Sequence, residues 1–226
     1  MPMLTFWITL GLFLAVTVLE LVFAFFEMDK PRSIVKPFCV SVPAIAALII
    51  SPNLLGGLIF LGAMLGVLGD ICLIFKKNQK LFVVGTGFFL LGHITYIALM
   101  IVLFRESIHW YNYLILAMLH LTVWGLSLYA VHKLIKDWRL CIPGCFYLST
   151  LFMEVVWGFF MAGMATEKML VVAIGSTIFL SSDIYLVKCN FYKHSKREDF
   201  FIMLLYLIGQ GLIIYGLLFS GGAIFA

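Results

Sequence analysis

Charge is what this 226-residue chain has least of. Asp, Glu, Lys and Arg make up 12% of it, against 64% hydrophobic residues and a mean hydropathy of +1.13. A soluble domain of this length needs a far more polar surface, so composition excludes one and points to a polytopic membrane protein. Short segments of alternating polarity are also lacking, which excludes a transmembrane β-barrel. The five cysteines (Cys39, Cys72, Cys141, Cys145 and Cys189) follow no zinc spacing and read as small packing residues that stay reduced. No Gly-x-Ser-x-Gly elbow, no His-Glu-x-x-His or His-x-x-x-His and no phosphate-cradling glycine loop occurs. The usual signatures of serine lipases, zinc hydrolases and nucleotide-binding enzymes are therefore missing.

What is present is length of apolar run. Eight stretches, at about 4–26, 37–52, 54–75, 81–104, 111–132, 140–163, 168–188 and 200–220, are separated by short polar turns. About 20 apolar residues suffice to cross a ~30 Å hydrocarbon core as a helix. The first stretch is too long for a signal-peptide core and lacks a basic flank, so it reads as a retained helix. No loop is long enough for a soluble domain. The expectation is one all-α transmembrane domain over residues 1–226, with eight helices.

Charge sets the topology. With eight spans, the side opposite the N-terminus receives Lys30, Arg32, Lys36, Lys76, Lys77, Lys80, Lys133, Lys136, Arg139, Lys188, Lys193, Lys196 and Arg197. The N-terminal side receives only Arg105 and Lys168. The positive-inside rule makes the basic side cytoplasmic and places both termini on the other side. The membrane is a bacterial inner membrane or the endoplasmic reticulum. The net charge of +4 then reflects orientation and anionic headgroups, with no nucleic-acid partner implied.

Two acidic phrases stand out against this background. Asp70 lies in Gly69-Asp70-Ile71-Cys72-Leu73-Ile74, and Asp183 in Ser182-Asp183-Ile184-Tyr185-Leu186-Val187. Each sits about five residues before its helix ends, or roughly 7–8 Å below the cytoplasmic boundary. A carboxylate in hydrocarbon costs at least ~2.5–3.5 kcal/mol on insertion scales, so it normally faces a protein interior or a wet cavity and has a function there. The helix after each phrase also carries a matching segment: Leu91-Gly92-His93 in the fourth helix against Ile208-Gly209-Gln210 in the eighth. Elements four helices apart run in the same direction, so the pattern fits two parallel four-helix halves.

Each polar residue carries two readings. Asp70 and Asp183 fit a paired acidic site, or interfacial carboxylates matched with Lys76 or Lys77 and with Lys188. Lys36 precedes Pro37, and a helix opening there would offer backbone donors and an ammonium to a phosphate; otherwise Lys36 snorkels to headgroups. His93 and Gln210 fit a site or interhelical hydrogen bonding. Ser181 and Ser182 fit a ligand or the backbone. Tyr206 enters from the cytoplasmic side, while Glu154 and Glu20 are further intramembrane carboxylates, Glu154 deeper. Trp110, Tyr111, Trp138 and Trp157 read as interface belt and packing.

Lys36-Pro37, Leu68-Gly69-Asp70, Gly87-Phe88-Phe89-Leu90-Leu91-Gly92-His93 with Tyr96, Ser182-Asp183, and Tyr206 with Gly209-Gln210 together resemble the YhhN-type integral membrane proteins that include the lysoplasmalogenases. The motifs run in order from the second helix to the eighth. The resemblance implies an eight-helix enzyme cleaving the vinyl ether bond of a lysoplasmalogen, a lysophospholipid, to a fatty aldehyde and glycerophosphocholine or glycerophosphoethanolamine. It places the family's two essential acidic positions on Asp70 and Asp183. Some members carry another residue where Asp183 stands, so its presence here favours activity.

The chemistry of these residues fits that implication. A vinyl ether resists base and yields to acid, because protonation of its terminal alkene carbon gives an oxocarbenium ion that water traps. One carboxyl can be the acid, and the other, ionised, can stabilise the cation and activate the water, by analogy with glycosidases. Asp70 as acid and Asp183 as base is the first assignment, and the reverse remains open. Lys36, His93, Ser182, Tyr206 and Gln210 are the expected substrate-binding residues, with neither a metal nor another cofactor required. Two other classes stay in view. A proton-coupled transporter would use intramembrane aspartates too, although no proline falls in the third or seventh helix. A metal-dependent lipid amidase or esterase would recruit His93, His120 and an aspartate as dispersed ligands.

Overall fold

In lipid a chain must satisfy its backbone hydrogen bonds internally, and long apolar runs between short polar turns do so as helices. The computed structural model describes residues 2–74, 79–132, 138–191 and 196–223, and among these there is no strand. The helices are α1 (Pro2–Phe25), α2 (Asp29–Ile50), α3 (Leu54–Ile74), α4 (Gln79–Phe104), α5 (Trp110–His132), α6 (Trp138–Met164), α7 (Met169–Phe191) and α8 (Lys196–Ser220). A single 3-10 turn, Arg105–Ser107, leads from α4 toward α5. All eight helices are long and apolar enough to cross a membrane, which makes this an integral membrane protein.

Seven helices start and stop within a few residues of the apolar stretches. The exception is α2, which begins at Asp29 rather than near residue 37. Its first two turns are polar (Asp29, Lys30, Arg32, Ser33, Lys36), so they carry no hydropathy signal although they are helical. Pro31 sits in the first turn, where no intrahelical donor is needed. Pro37 and Pro43 lie inside the helix, and each removes one ladder hydrogen bond.

The turn from α1 to α2 is tight. Glu27 takes a left-handed conformation (φ 58°). The Met28 N–H then donates to the Phe23 carbonyl at 2.8 Å and the Glu27 N–H to that of Ala24 at 3.3 Å. This is a Schellman closure of α1. At the other end of α2, Asn53 caps α3, its Oδ1 accepting the Leu55 N–H at 3.0 Å and the Ser51 hydroxyl at 2.9 Å.

Packing echoes the internal repeat. The most extensive helix pairs are α7 with α8 and α3 with α4, and the two halves meet through α4 against α6 and through α8 against α1, α2 and α3. The α4–α6 and α2–α8 junctions are equivalent if α1–α4 correspond to α5–α8. The register agrees as well. A methyl group on Gly92 would come within 2.7 Å of the Gly62 carbonyl, and in the second half, where Gly175 matches Gly62 and Gly209 matches Gly92, one on Gly175 would come within 3.0 Å of the Gly209 carbonyl. At the next matched pair, a Gly69 methyl would meet the Gly85 carbonyl at 3.0 Å, while the Ser182 hydroxyl donates to the Ile202 carbonyl at 2.9 Å. Small residues let backbones approach closely, and here they do so at the same level in both hairpins.

α8 touches α1, α2, α3 and α7, so it forms the spine of the bundle. α5 packs chiefly on α6 and is otherwise open to lipid. Four cysteines (Cys39, Cys141, Cys145 and Cys189) are buried and all five are free. Trp110, Tyr111 and Trp138 are exposed, whereas Trp157 is buried in the core.

Candidate active site

Asp70 falls on the buried face of α3, one turn before the helix ends, and is 1% exposed. Both of its oxygens are occupied. The Lys36 ammonium from α2 lies 3.0 Å from Oδ1, and the Tyr206 hydroxyl from α8 donates to Oδ2 at 2.6 Å. The same ammonium stands 6.0 Å from the centre of the Tyr206 ring. Charge-assisted bonds of this kind are what keep a buried carboxylate from being a net cost.

Two expectations change at this point. Lys36 lies about two turns inside α2, so no helix opens at Pro37 and no backbone donors gather there for a phosphate. Its ammonium meets Asp70 instead. Lys76 and Lys77, the alternative partners, lie outside the described residues.

Asp183 occupies the matching position on α7 but has different company. The Tyr147 hydroxyl of α6 donates to its Oδ2. Lys188 does not reach Asp183; its ammonium sits over the Tyr185 ring, 5.7 Å from the centre. Asp183 therefore has a neutral phenol where Asp70 has a cation. Phe179, one turn before Asp183 on α7, packs against Tyr206, the partner of Asp70, with ring centres 5.5 Å apart, so the two aspartates belong to one region of the bundle.

Below the aspartates lies a second buried polar layer. His93 of α4 directs Nδ1 at Glu154 Oε2 on α6, and the Ser176 hydroxyl of α7 donates to Glu154 Oε1 at 3.0 Å. An aromatic chain joins the two layers. The Phe179 ring stands 4.4 Å from His93 and 5.5 Å from Tyr206, and Phe89 is 6.0 Å from Tyr206. Three buried polar atoms in this region have no protein partner: His93 Nε2, Tyr96 Oη and Gln210 Oε1.

The expected binding residues divide accordingly. Lys36 and Tyr206 contact Asp70 directly, His93 meets Glu154 in the layer below, and Gln210, one turn after Tyr206 on α8, keeps Oε1 buried without a protein partner. Ser182 does not offer its hydroxyl to the site, because that group is committed to the Ile202 carbonyl and fastens α7 to α8. Ser181 likewise donates to the Thr177 carbonyl, at 2.8 Å. The dispersed set of His93, His120 and an aspartate is not assembled, since His120 contacts Ser149 at 3.2 Å between α5 and α6. Among the described residues no three His, Cys, Asp or Glu side chains are disposed to hold a metal.

Tyr147 and Ser176 are the residues that sequence reasoning missed. A faint signal for Tyr147 existed: it precedes Asp183 by 36 residues, as Lys36 precedes Asp70 by 34. In each half, the helix before the aspartate supplies its partner. Arg32 is also placed beyond its reading as a topology charge. Its Nε lies 2.9 Å from Oε1 of the buried Glu20 and its Nη1 3.6 Å from Asp199, tying α1, α2 and α8 together one turn from Lys36.

No curated protein and no solved structure matches the chain. The model of the YhhN family matches residues 31–217, a span that runs from the first turn of α2 to the last turn of α8 and holds both aspartates and their partners Lys36, Tyr147 and Tyr206. The chain belongs to the YhhN family.

Proposed function

We propose that this protein hydrolyses the vinyl ether bond of lysoplasmalogens, releasing a fatty aldehyde and a glycerophospho-alcohol. The single observation that carries the reading is the asymmetry of the aspartate pair: an ammonium on Asp70 and only a phenol on Asp183. Vinyl ether hydrolysis asks for one carboxyl that carries a proton and one that carries charge. The geometry favours Asp183 as the acid and Asp70 as the ionised partner, the reverse of the first assignment. Asp183 protonates the alkene carbon, and the Asp70 carboxylate faces the oxocarbenium ion and orients the incoming water.

Lys36 is placed to serve twice. One of its three donors meets Asp70, and its partly exposed end can meet the phosphate of an incoming headgroup. Tyr206 adds a phenol beside the Asp70 carboxylate. The aspartates lie near the Lys/Arg-rich end of the bundle, which the positive-inside rule makes the cytoplasmic face of a bacterial inner membrane or the endoplasmic reticulum.

Asp70→Asn and Asp183→Asn test the reading when folded yield and aldehyde release are measured together. Each variant is expected to fold and to lose turnover by a factor on the order of 10²–10⁴, the usual weight of general acid–base catalysis. Near-normal turnover in either would sink the two-carboxylate mechanism.

A second reading has one observation in its favour. Of the three helices that supply partners to the two aspartates, α2 and α6 have proline inside, at Pro37, Pro43 and Pro143. Proton-coupled transporters interrupt helices beside their intramembrane carboxylates. Proton-driven solute uptake by proteoliposomes, without lipid cleavage, would favour that reading.

A further inference from the structure

The His93–Glu154–Ser176 unit is not used by a mechanism of two aspartates, yet its polar groups are closely matched. His93 and Glu154 are each 1% exposed, and they come from α4 and α6, the helices that join the two halves. Both Glu154 oxygens accept, from Ser176 and from the imidazole. In the neutral ring, a carboxylate accepting at Nδ1 fixes the proton there and presents Nε2 as a lone pair. Nε2 is buried and has no protein donor. The ring packs against Phe179, one turn from Asp183 on α7.

Resting on the vinyl ether reading, we propose that His93 is the base that takes the proton of the hydrolytic water, and that Glu154 is the positioning residue that fixes its tautomer. Asp70 is poorly suited to that task because both its oxygens are already occupied by Lys36 and Tyr206. The proton count closes. Asp183 gives its proton to the alkene carbon. Water adds to the oxocarbenium carbon as Nε2 takes one of its protons, forming a hemiacetal. The Asp183 carboxylate then takes the hemiacetal hydroxyl proton while the imidazolium protonates the departing glyceryl oxygen, and the C–O bond breaks. Aldehyde and alcohol leave, and Asp183 and His93 return to their starting forms.

Three measurements on purified protein in lipid nanodiscs test this. The first needs no turnover: with ¹⁵N-histidine labelling, the signals absent from His93→Gln should report a protonated Nδ1 and a bare Nε2, and Glu154→Gln should disturb that pattern. A ring protonated at Nε2 with bare Nδ1 overturns the proposal whatever the enzyme does. In the second, His93→Gln should lower kcat on a lysoplasmalogen by about 10²–10⁴-fold with KM little changed, and Glu154→Gln should lower it in the same sense. A His93→Gln protein that keeps more than a tenth of kcat overturns the base role. In the third, added imidazole should restore turnover to His93→Ala in a concentration-dependent manner, and a folded His93→Ala protein that imidazole leaves inert also overturns it. If the wild-type protein releases no aldehyde, the functional reading fails, and the tautomer measurement still judges the geometry by itself.

Discussion

The Lys36 ammonium and the Asp70 carboxylate lie 3.0 Å apart, on adjacent helices and 34 residues apart in the chain. This contact converts two residues that a bilayer would each penalise into a nearly neutral unit. Breaking a buried ion pair costs more than the pair itself contributes, because the remaining charge is stranded. Lys36→Met should therefore lose about 3–5 kcal/mol of stability. The Lys36→Met/Asp70→Asn double variant should regain most of that loss and remain inactive. Thermal unfolding in detergent, scored by monodispersity, checks the first two outcomes, and aldehyde release checks the third.

Tyr147 and Tyr206 hold equivalent places on opposite aspartates. Tyr206→Phe removes a hydrogen bond to a charged carboxylate, a loss of about 1.5–3 kcal/mol in stability. Tyr147→Phe removes the hydroxyl that orients the proposed acid, so its effect should fall on turnover, with kcat reduced about tenfold for each ~1.4 kcal/mol of lost transition-state stabilisation. Stability and kcat measured side by side for the two variants separate these roles. Equal effects of both variants on both quantities would contradict the asymmetry.

The acid/base assignment fixes the shape of the pH profile. Asp183 must carry a proton, so rate falls as pH rises through its titration. Asp70 must be ionised, so rate falls as pH drops through its own. The expected kcat profile is a bell. Asp183→Asn should abolish turnover on both limbs together, and a wild-type profile flat across the range would remove carboxyl acid–base chemistry from the account.

Glycine substitutions test the packing on which the site depends. A methyl on Gly92 meets the Gly62 carbonyl at 2.7 Å, and one on Gly209 meets the Phe179 backbone at 2.8 Å, whereas nothing lies within 4 Å of the methyl position on Gly87. Gly92→Ala and Gly209→Ala should each cost about 1–3 kcal/mol as overpacking. Gly87→Ala, in the same helix as Gly92, should instead be neutral or stabilise by up to about 1 kcal/mol through helix propensity. Opposite signs for the Gly87 and Gly92 substitutions are the diagnostic result in thermal unfolding.

The sequence made the helices and the acidic pair legible because both are written in hydropathy. An apolar run long enough to span declares itself, and so does a carboxylate within one. The start of α2 was not legible, since its first two turns are polar and a helix there looks the same as a loop. Lys36 consequently read as a helix opener rather than as Asp70's partner. Tyr147 could not be told from other aromatics in a greasy helix, because its role exists only across the α6–α7 contact. The duplicated phrases gave the matched depth of Asp70 and Asp183, but not that one would face a cation and the other a phenol. Ser182 shows the converse case: its place beside Asp183 suggested a ligand contact, and the close approach of α8 uses its hydroxyl for packing instead. His93 and Glu154 were each visible as buried polar residues, and only their meeting from α4 and α6 makes them a unit.

The central claim is tested most directly by giving the purified protein a lysoplasmalogen and, separately, its ester-linked lyso analogue, with aldehyde and fatty acid both quantified. The account predicts aldehyde from the vinyl ether, no fatty acid from the ester, and aldehyde release lowered on the order of 10²–10⁴-fold in folded Asp70→Asn or Asp183→Asn protein. Fatty acid released from the ester, or a folded wild-type protein that leaves the vinyl ether intact, would contradict it.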